Sequence, residues 1–234
     1  MFHFKQFSVN QDQCAMKIGT DGVLLGAWCP IDNNPYSILD IGTGTGIIAL
    51  MLAQRSSAQQ IDALEIDEQA YEQATDNFEN SPWNDRLFCF HAGLDEFVEE
   101  PEEEYDLIVS NPPFYKNDYK TSNEQRDLAR FQDALPFEDL IEAADLLLSE
   151  NGILAIIIPY TEEDRFVTLA NDFELFPFKI SHVQGTPTAE VKRSLMAFSR
   201  KKSECFIDNL VIESQRHCYT EAYTTLTKDF YLKL

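Results

Sequence analysis

"YSILDIGTGTGIIALMLAQR", residues 36–55, joins an apolar run, a glycine-rich turn and a second apolar run. The first reads as a buried strand and the second as a helix packed on it. Working outward, the same rhythm recurs. "QQIDALEID" is a second strand, and "EQAYEQATDNF" is a helix with Ala70, Ala74 and Phe78 on one face. "RLFCFHA" and "YDLIVSN" are a third and a fourth strand. "PFEDLIEAADLLLSE" is a helix stopped at Gly152, and "ILAIIIP" is a fifth strand, apolar throughout as in a sheet covered on both faces. Strands alternating with helices predict an α/β fold with a doubly wound, mostly parallel sheet and right-handed crossovers. "PFKISHVQG" and "KRSLMAFSR" have only a loop between them, so the expected seven-stranded sheet ends in an antiparallel hairpin. "HFKQFSV" reads as a short edge strand, and Thr20 and Asp21 stand where they can cap the apolar helix of "TDGVLLGAW". The C-terminal stretch from Glu204 is rich in β-branched and aromatic residues, and no element is assigned to it. A single domain is expected, with an N-terminal cap over 1–36, a core over 37–200 and a C-terminal extension over 201–234.

Composition narrows the class. Of 234 residues, 44% are hydrophobic and 25% charged, as in ordinary globular chains. No apolar run is long enough to span a bilayer, and "MFHFKQFSV" lacks the layout of a secretory signal. The five cysteines are scattered without a CxxC pair, so neither a metal site nor a disulfide framework is expected. A reduced cytoplasmic protein with no membrane partner and no obligate protein partner fits. The formal net charge of -22 counts against non-specific nucleic-acid binding. The acidic run "EEPEEE" reads as a solvated loop.

The turn "DIGTGTG" places Gly42, Gly44 and Gly46 between strand and helix, with Thr43 among them. Glycines there let a ligand approach the backbone, and the helix N-terminus offers free N–H groups. Glu65 ends the next strand, where an acid accepts hydrogen bonds from ribose hydroxyls. A dinucleotide site wants G-x-G-x-x-G, but Ile47 occupies the third glycine's place. Asp40, just before the turn, would repel a pyrophosphate and suits a cofactor carrying an ammonium. Together with the hairpin, these motifs resemble the class I S-adenosylmethionine-dependent methyltransferases over residues 37–200.

In that superfamily, [DNS]-P-P-[YFW] after the fourth strand resembles the signature of amino-group methylation. "NPPF", Asn111, Pro112, Pro113 and Phe114, matches it. An exocyclic amine on a ring is a poor nucleophile, because its lone pair is delocalised. Two acceptors on its N–H bonds, the Asn111 side-chain oxygen and the Pro112 carbonyl, favour a pyramidal nitrogen and aim its lone pair. The prolines hold these acceptors in advance, and Phe114 offers a stacking face worth about 1–3 kcal/mol to a base. An activated methyl needs positioning rather than a base before attack, so His91 and His182 are read as ordinary strand histidines.

The stretches outside the core are similar to one bacterial family, the tRNA1(Val) adenine-N6-methyltransferases. They are "FHFKQFSVNQDQCAMKIGTDGVLLGAW", "NPPFYKND", "RDLARF", "KRSLMAFSR" and "YTEAYTTLTKDFYLKL". The resemblance implies S-adenosylmethionine as cofactor, tRNA as partner and the adenine beside the anticodon as target. It implies cofactor contacts at Asp40, Gly42, Thr43, Gly44, Gly46, Glu65 and Asn111. It adds Lys17, Thr20 and Asp21 as an N-terminal signature closing over the cofactor, with a plain helix cap as the rival reading. The acid expected after strand three is replaced by Gly93, so Leu94 or Asp95 is expected at the cofactor's adenine.

Phosphate binding needs local positive charge. Lys116, Lys120, Arg126 and Arg130 follow the NPPF loop, interleaved with Tyr115 and Tyr119, and Lys192 and Arg193 open the hairpin's second strand. A basic face around Asn111 and the hairpin is therefore expected, against the reading of a mixed-charge solvated loop. Rival functions are methylation of ribosomal-RNA guanine-N2 or of a release-factor glutamine, a nicotinamide-dependent oxidoreductase, and a non-catalytic binding module. Phe114 departs from the tyrosine usual in release-factor enzymes. Tyr115 departs from the histidine frequent in the guanine-N2 enzymes.

Overall fold

The computed structural model describes residues 1–99, 104–113 and 135–233. In chain order it begins with β1 (Phe2–His3), β2 (Ser8–Val9), α1 (Thr20–Trp28), β3 (Ser37–Ile41) and α2 (Ile47–Arg55). Then come β4 (Gln60–Glu65), α3 (Glu68–Glu79), β5 (Leu87–His91), α4 (Leu94–Glu99) and β6 (Tyr105–Ser110). The second half holds α5 (Phe137–Leu147), β7 (Leu148–Pro159), a 3-10 turn (Tyr160–Glu162), α6 (Glu163–Asp172), β8 (Phe176–Gln184) and β9 (Val191–Ser199). It closes with β10 (Phe206–Val211), β11 (Glu213–Gln215), β12 (Cys218–Tyr219) and α7 (Glu221–Thr227).

The main sheet has the order β10-β8-β9-β7-β6-β3-β4-β5. Every neighbouring pair is parallel except the two made by β9. Alternate residues of the central strands serve opposite faces. Ile38, Leu107, Val109, Ala155 and Ile157 pack with α1, α2 and Phe78 of α3. Leu39, Ile108, Leu154, Ile156 and Ile158 pack with α5 and α6 through Leu140, Leu147 and Phe166. Burial on both faces is why these strands read as continuous apolar runs.

Four local expectations change. The sheet has eight strands, because β10 adds parallel to β8 beyond the expected seven. The hairpin therefore lies inside the sheet edge rather than forming it. Trp28 Nε1 donates to Ser181 Oγ at 2.7 Å, and Ser181 Oγ donates to Asp208, so α1, β8 and β10 are cross-tied. "HFKQFSV" is not an edge of the main sheet; its ends form the separate ribbon of β1 and β2. Thr20 and Asp21 do not cap α1, which begins at Thr20 with Gly19 at the cap position and no side-chain cap bond. The helix of residues 137–147 ends before Gly152, since Leu148 already pairs with Tyr105 as the start of β7. Among the described residues no helix is long and apolar enough to cross a membrane.

Candidate functional site

The strand order reverses at β3, which has β4 on one side and β6 on the other. Such a switch point opens a crevice at the carboxyl ends of the strands. Here it is a cavity of about 730 Å³, lined by Ile41 at the end of β3 with Gly42 and Gly44 of the turn beyond it, by Leu64 and Glu65 at the end of β4 with Asp67 beyond it, and by Asn111 and Pro113 just after β6. Gly93, Leu94 and Asp95 close one side, Asp139, Glu142 and Leu146 of α5 another, and Cys14, Ala15 and Met16 a third.

Backbone geometry at the turn explains its glycines. Gly42, Gly44 and Gly46 have φ of 73°, 57° and 79°, the left-handed region. A Cβ on Gly42 or Gly44 would meet nothing within 4 Å, so both leave open space at the cavity. A Cβ on Gly46 would lie 2.5 Å from Phe78 Cε1. Gly46 is therefore a packing residue that lets α2 approach α3, and it does not line the cavity.

Glu65 binds the turn from the side. Its Oε2 accepts from the Gly44 amide at 2.8 Å and its Oε1 from the Asp67 amide at 3.0 Å. Asp40 sits beneath the turn, fully buried, rather than on the cavity wall. Its Oδ2 accepts from Thr43 Oγ1 at 2.6 Å and from the Ala49 amide at 3.2 Å. Its Oδ1 has no hydrogen-bond partner among the described residues. Burial pushes the Asp40 carboxyl up to about 7, against the lowering effect of the Thr43 and Ala49 bonds. Thr43, also buried, thus supports the turn through Asp40.

Cys14 is the one thiol on the wall. Burial, then the charges of Glu65, Asp67 and Asp12, push it up to about 11. It is a neutral thiol near pH 7, so it is not an activated nucleophile.

Among the described residues the cavity wall is acidic. Glu65, Asp67, Asp95, Asp139 and Glu142 line the cavity, and no Lys or Arg does so among the described residues. Lys192 pairs with Glu190 at 3.2 Å, and Arg193 with Asp21 at 2.7 Å. The hairpin's leading cations are therefore largely neutralised locally. Phe114, Tyr115, Lys116, Tyr119, Lys120, Arg126 and Arg130 lie outside the described residues.

The methyltransferase small domain family matches residues 28–175. A tRNA1(Val) (adenine(37)-N6)-methyltransferase of Flavobacterium psychrophilum is 76% identical over 234 residues, covering 100% of both chains. The protein of that name from Bacteroides fragilis is 44% identical over 239 residues, covering 100% of this chain and 98% of that one. The chain belongs to the tRNA1(Val) (adenine(37)-N6)-methyltransferase family. Its fold is similar to that of a predicted O-methyltransferase from Agrobacterium tumefaciens, with a TM-score of 0.71 at 18% identity over 90% of this chain and 96% of that one.

Membership in this family implies S-adenosylmethionine, and the residues present fit it. The open space at Gly42 and Gly44 admits a ligand against the backbone, and the ring of carboxylates suits a cationic sulfonium with its ammonium. Of the expected cofactor residues, Gly42, Gly44, Glu65, Leu94, Asp95 and Asn111 meet at the cavity. Asp40, Thr43, Gly46, Lys17 and Thr20 do not line it. Lys17 and Thr20 are exposed, and Asp21 is held by Arg193 instead. Both strand histidines have partners: His91 Nε2 lies 3.1 Å from the Ile66 carbonyl, and His182 pairs with Glu163 at 3.0 Å. Neither lines the cavity. The sequence reading missed Asp139 and Glu142, for which no local motif gave a signal, and set the N-terminal wall at Lys17, Thr20 and Asp21, where Cys14, Ala15 and Met16 line the cavity instead.

Proposed function

We propose that this protein transfers a methyl group from S-adenosylmethionine to N6 of an adenine in tRNA, adenine 37 beside the anticodon of tRNA1(Val). The observation that carries the reading is the meeting of Asn111 with Gly42, Gly44 and Glu65 in one cavity. When bound, the cofactor supplies a methyl on a positively charged sulfur, so the protein's task is positioning. Glu65 would hold the ribose hydroxyls, and Leu94 and Asp95 would border the adenine. The acids of the wall would favour the cation. Asn111 Oδ1 and the Pro112 carbonyl would accept the two N–H bonds of the target amine, directing its lone pair at the methyl. Phe114 follows in sequence as the stacking plate. The target base must leave its loop stack, a smaller cost in a loop than in a duplex. The methylated ammonium is acidic and loses its proton to water after transfer, so no residue is assigned as base. The reaction would take place in the cytoplasm.

The acidic wall bears on how RNA lies. Phosphates are disfavoured at the cavity, so the base enters and the backbone stays outside it. The test is methyl transfer from labelled S-adenosylmethionine to unmodified tRNA, ribosomal RNA and release-factor protein, with the unaltered chain and Asn111→Ala. Label recovered as N6-methyladenosine in tRNA, and lost in Asn111→Ala, is the expected result. Label only in protein or ribosomal RNA would overturn the substrate while leaving the chemistry.

A further inference from the structure

Two buried amides on α3 have no place in the reaction so far. Gln73 and Asn77 lie one helical turn apart, within the same buried stripe as Ala70, Ala74 and Phe78. Neither bonds its own helix with its side chain. Gln73 Oε1 accepts from the Gln13 amide at 3.0 Å and the Cys14 amide at 3.2 Å, and its Nε2 donates to Asp12 Oδ1 at 3.0 Å. Asn77 Oδ1 accepts from the Asn10 amide at 2.8 Å. Its Nδ2 donates to the Asn10 carbonyl at 3.0 Å and to the Thr45 carbonyl at 2.9 Å.

These bonds join three things. The segment 10–14 is fastened to α3, its continuation Cys14, Ala15 and Met16 is a wall of the cavity, and Thr45 stands between the last two glycines of the turn. The segment has no strand or helix of its own between Val9 and Thr20. Two amides thus substitute for secondary structure. Removing either would leave backbone N–H groups in a part-buried place without partners, a cost larger than the loss of the bond itself.

We infer that Gln73 and Asn77 are positioning residues for the methyl donor: they hold segment 10–16 as a wall of its cavity and set that wall against the glycine turn. This rests on the cofactor reading above. A purely structural role predicts lower stability with unchanged cofactor affinity. A positioning role predicts a selective loss toward the cofactor.

The test uses the full chain and calorimetric titration with S-adenosylmethionine. Gln73→Met, which keeps length and burial but loses every polar contact, is expected to weaken binding about tenfold. Its KM for tRNA is expected to stay within about twofold, because residues 10–16 carry no Lys or Arg to meet a phosphate. Gln73→Glu combined with Asp12→Asn reverses the one side-chain bond and keeps the acceptor oxygen for both backbone amides, so it is expected to recover most of the affinity. Gln73→Met that melts lower yet binds the cofactor as the unaltered chain does would overturn the inference. Should Gln73→Met not fold, hydrogen exchange of the unaltered chain decides. S-adenosylhomocysteine is expected to slow exchange over residues 10–16, and exchange slowed only over 42–46 overturns the inference. Absence of any binding to the unaltered chain would instead overturn the methyl-donor reading beneath it.

Discussion

Glu65 Oε2 accepts a hydrogen bond from the Gly44 amide at 2.8 Å, joining the tip of β4 to the middle of the glycine turn. The other carboxylate oxygen takes the Asp67 amide at 3.0 Å, where α3 begins. One side chain therefore fixes two backbone segments of the cavity at once. Each oxygen keeps lone-pair capacity, which is what a ribose diol requires.

Replacing Glu65 separates shape from recognition. Glu65→Ala loses both backbone bonds and the acceptor, so a fall in Tm of about 4–8 °C is expected, from about 1 kcal/mol per bond. Affinity for S-adenosylmethionine is expected to fall by about tenfold or more. Glu65→Gln keeps one acceptor oxygen and should lie between in both measurements. Calorimetric titration with thermal melts reads this directly; unchanged affinity in Glu65→Ala would contradict the ribose role.

Gly46 and Gly44 predict different phenotypes. Gly46→Ala adds a Cβ 2.5 Å from Phe78 Cε1 at a φ of 79°, so it carries both overpacking and backbone strain. A loss of about 2–4 kcal/mol of stability is expected in denaturant unfolding. Gly44→Ala meets nothing within 4 Å and carries the backbone term alone, about 1–2 kcal/mol. Its added methyl stands at the cavity, so its larger effect should be on cofactor affinity.

The contrast shows what was legible in the residues. Strand, turn and helix over 36–55 were readable because burial on both faces leaves an unbroken apolar run and because left-handed φ values demand glycine. Gly42, Gly44, Glu65 and Asn111 converge because parallel strands end on one side of a sheet, which the alternation of elements already implies. Whether Asp40 and Gly46 face the ligand or the core was not legible, since one turn presents alternate residues to opposite sides. Strand β10 was missed because Phe206 and Ile207 at its start are exposed and, among the described residues, it pairs only with β8, beyond the intervening β9 in sequence. Gln73 and Asn77 did leave a trace: they are polar positions inside the stripe of Ala70, Ala74 and Phe78. What they bond depends on a segment sixty residues away.

Asp40 carries a pH dependence of known sign. Its folded-state value lies near 7, above the 3.8 of an exposed aspartate, so the native state holds the proton more tightly. Its contribution to stability is fully present below about pH 4 and is lost as pH rises through about 7. Asp40→Asn keeps an acceptor for Thr43 and Ala49 but cannot titrate. Melts across pH 5–8 should show a steeper decline with pH for the unaltered chain than for Asp40→Asn. Parallel curves would place the proton elsewhere.

Arg193 and Lys192 are neighbours in sequence with different commitments. The Arg193 guanidinium is part-buried against Asp21, tying β9 to the start of α1. Lys192 is exposed, and its partner Glu190 is exposed too. A surface pair of that kind exchanges readily for a phosphate, whereas the half-buried pair does not. Lys192→Ala should therefore reduce the slope of log affinity for tRNA against log salt by about 0.7–0.9, one phosphate contact. Arg193→Ala should leave that slope unchanged and lower stability instead, with a coupling to Asp21→Ala of about 0.5–1 kcal/mol in a double-mutant cycle. Filter binding across a salt series measures the first and denaturant unfolding the second. If both substitutions shift the slope equally, Arg193 releases Asp21 to meet the RNA, and the hairpin end contacts two phosphates rather than one.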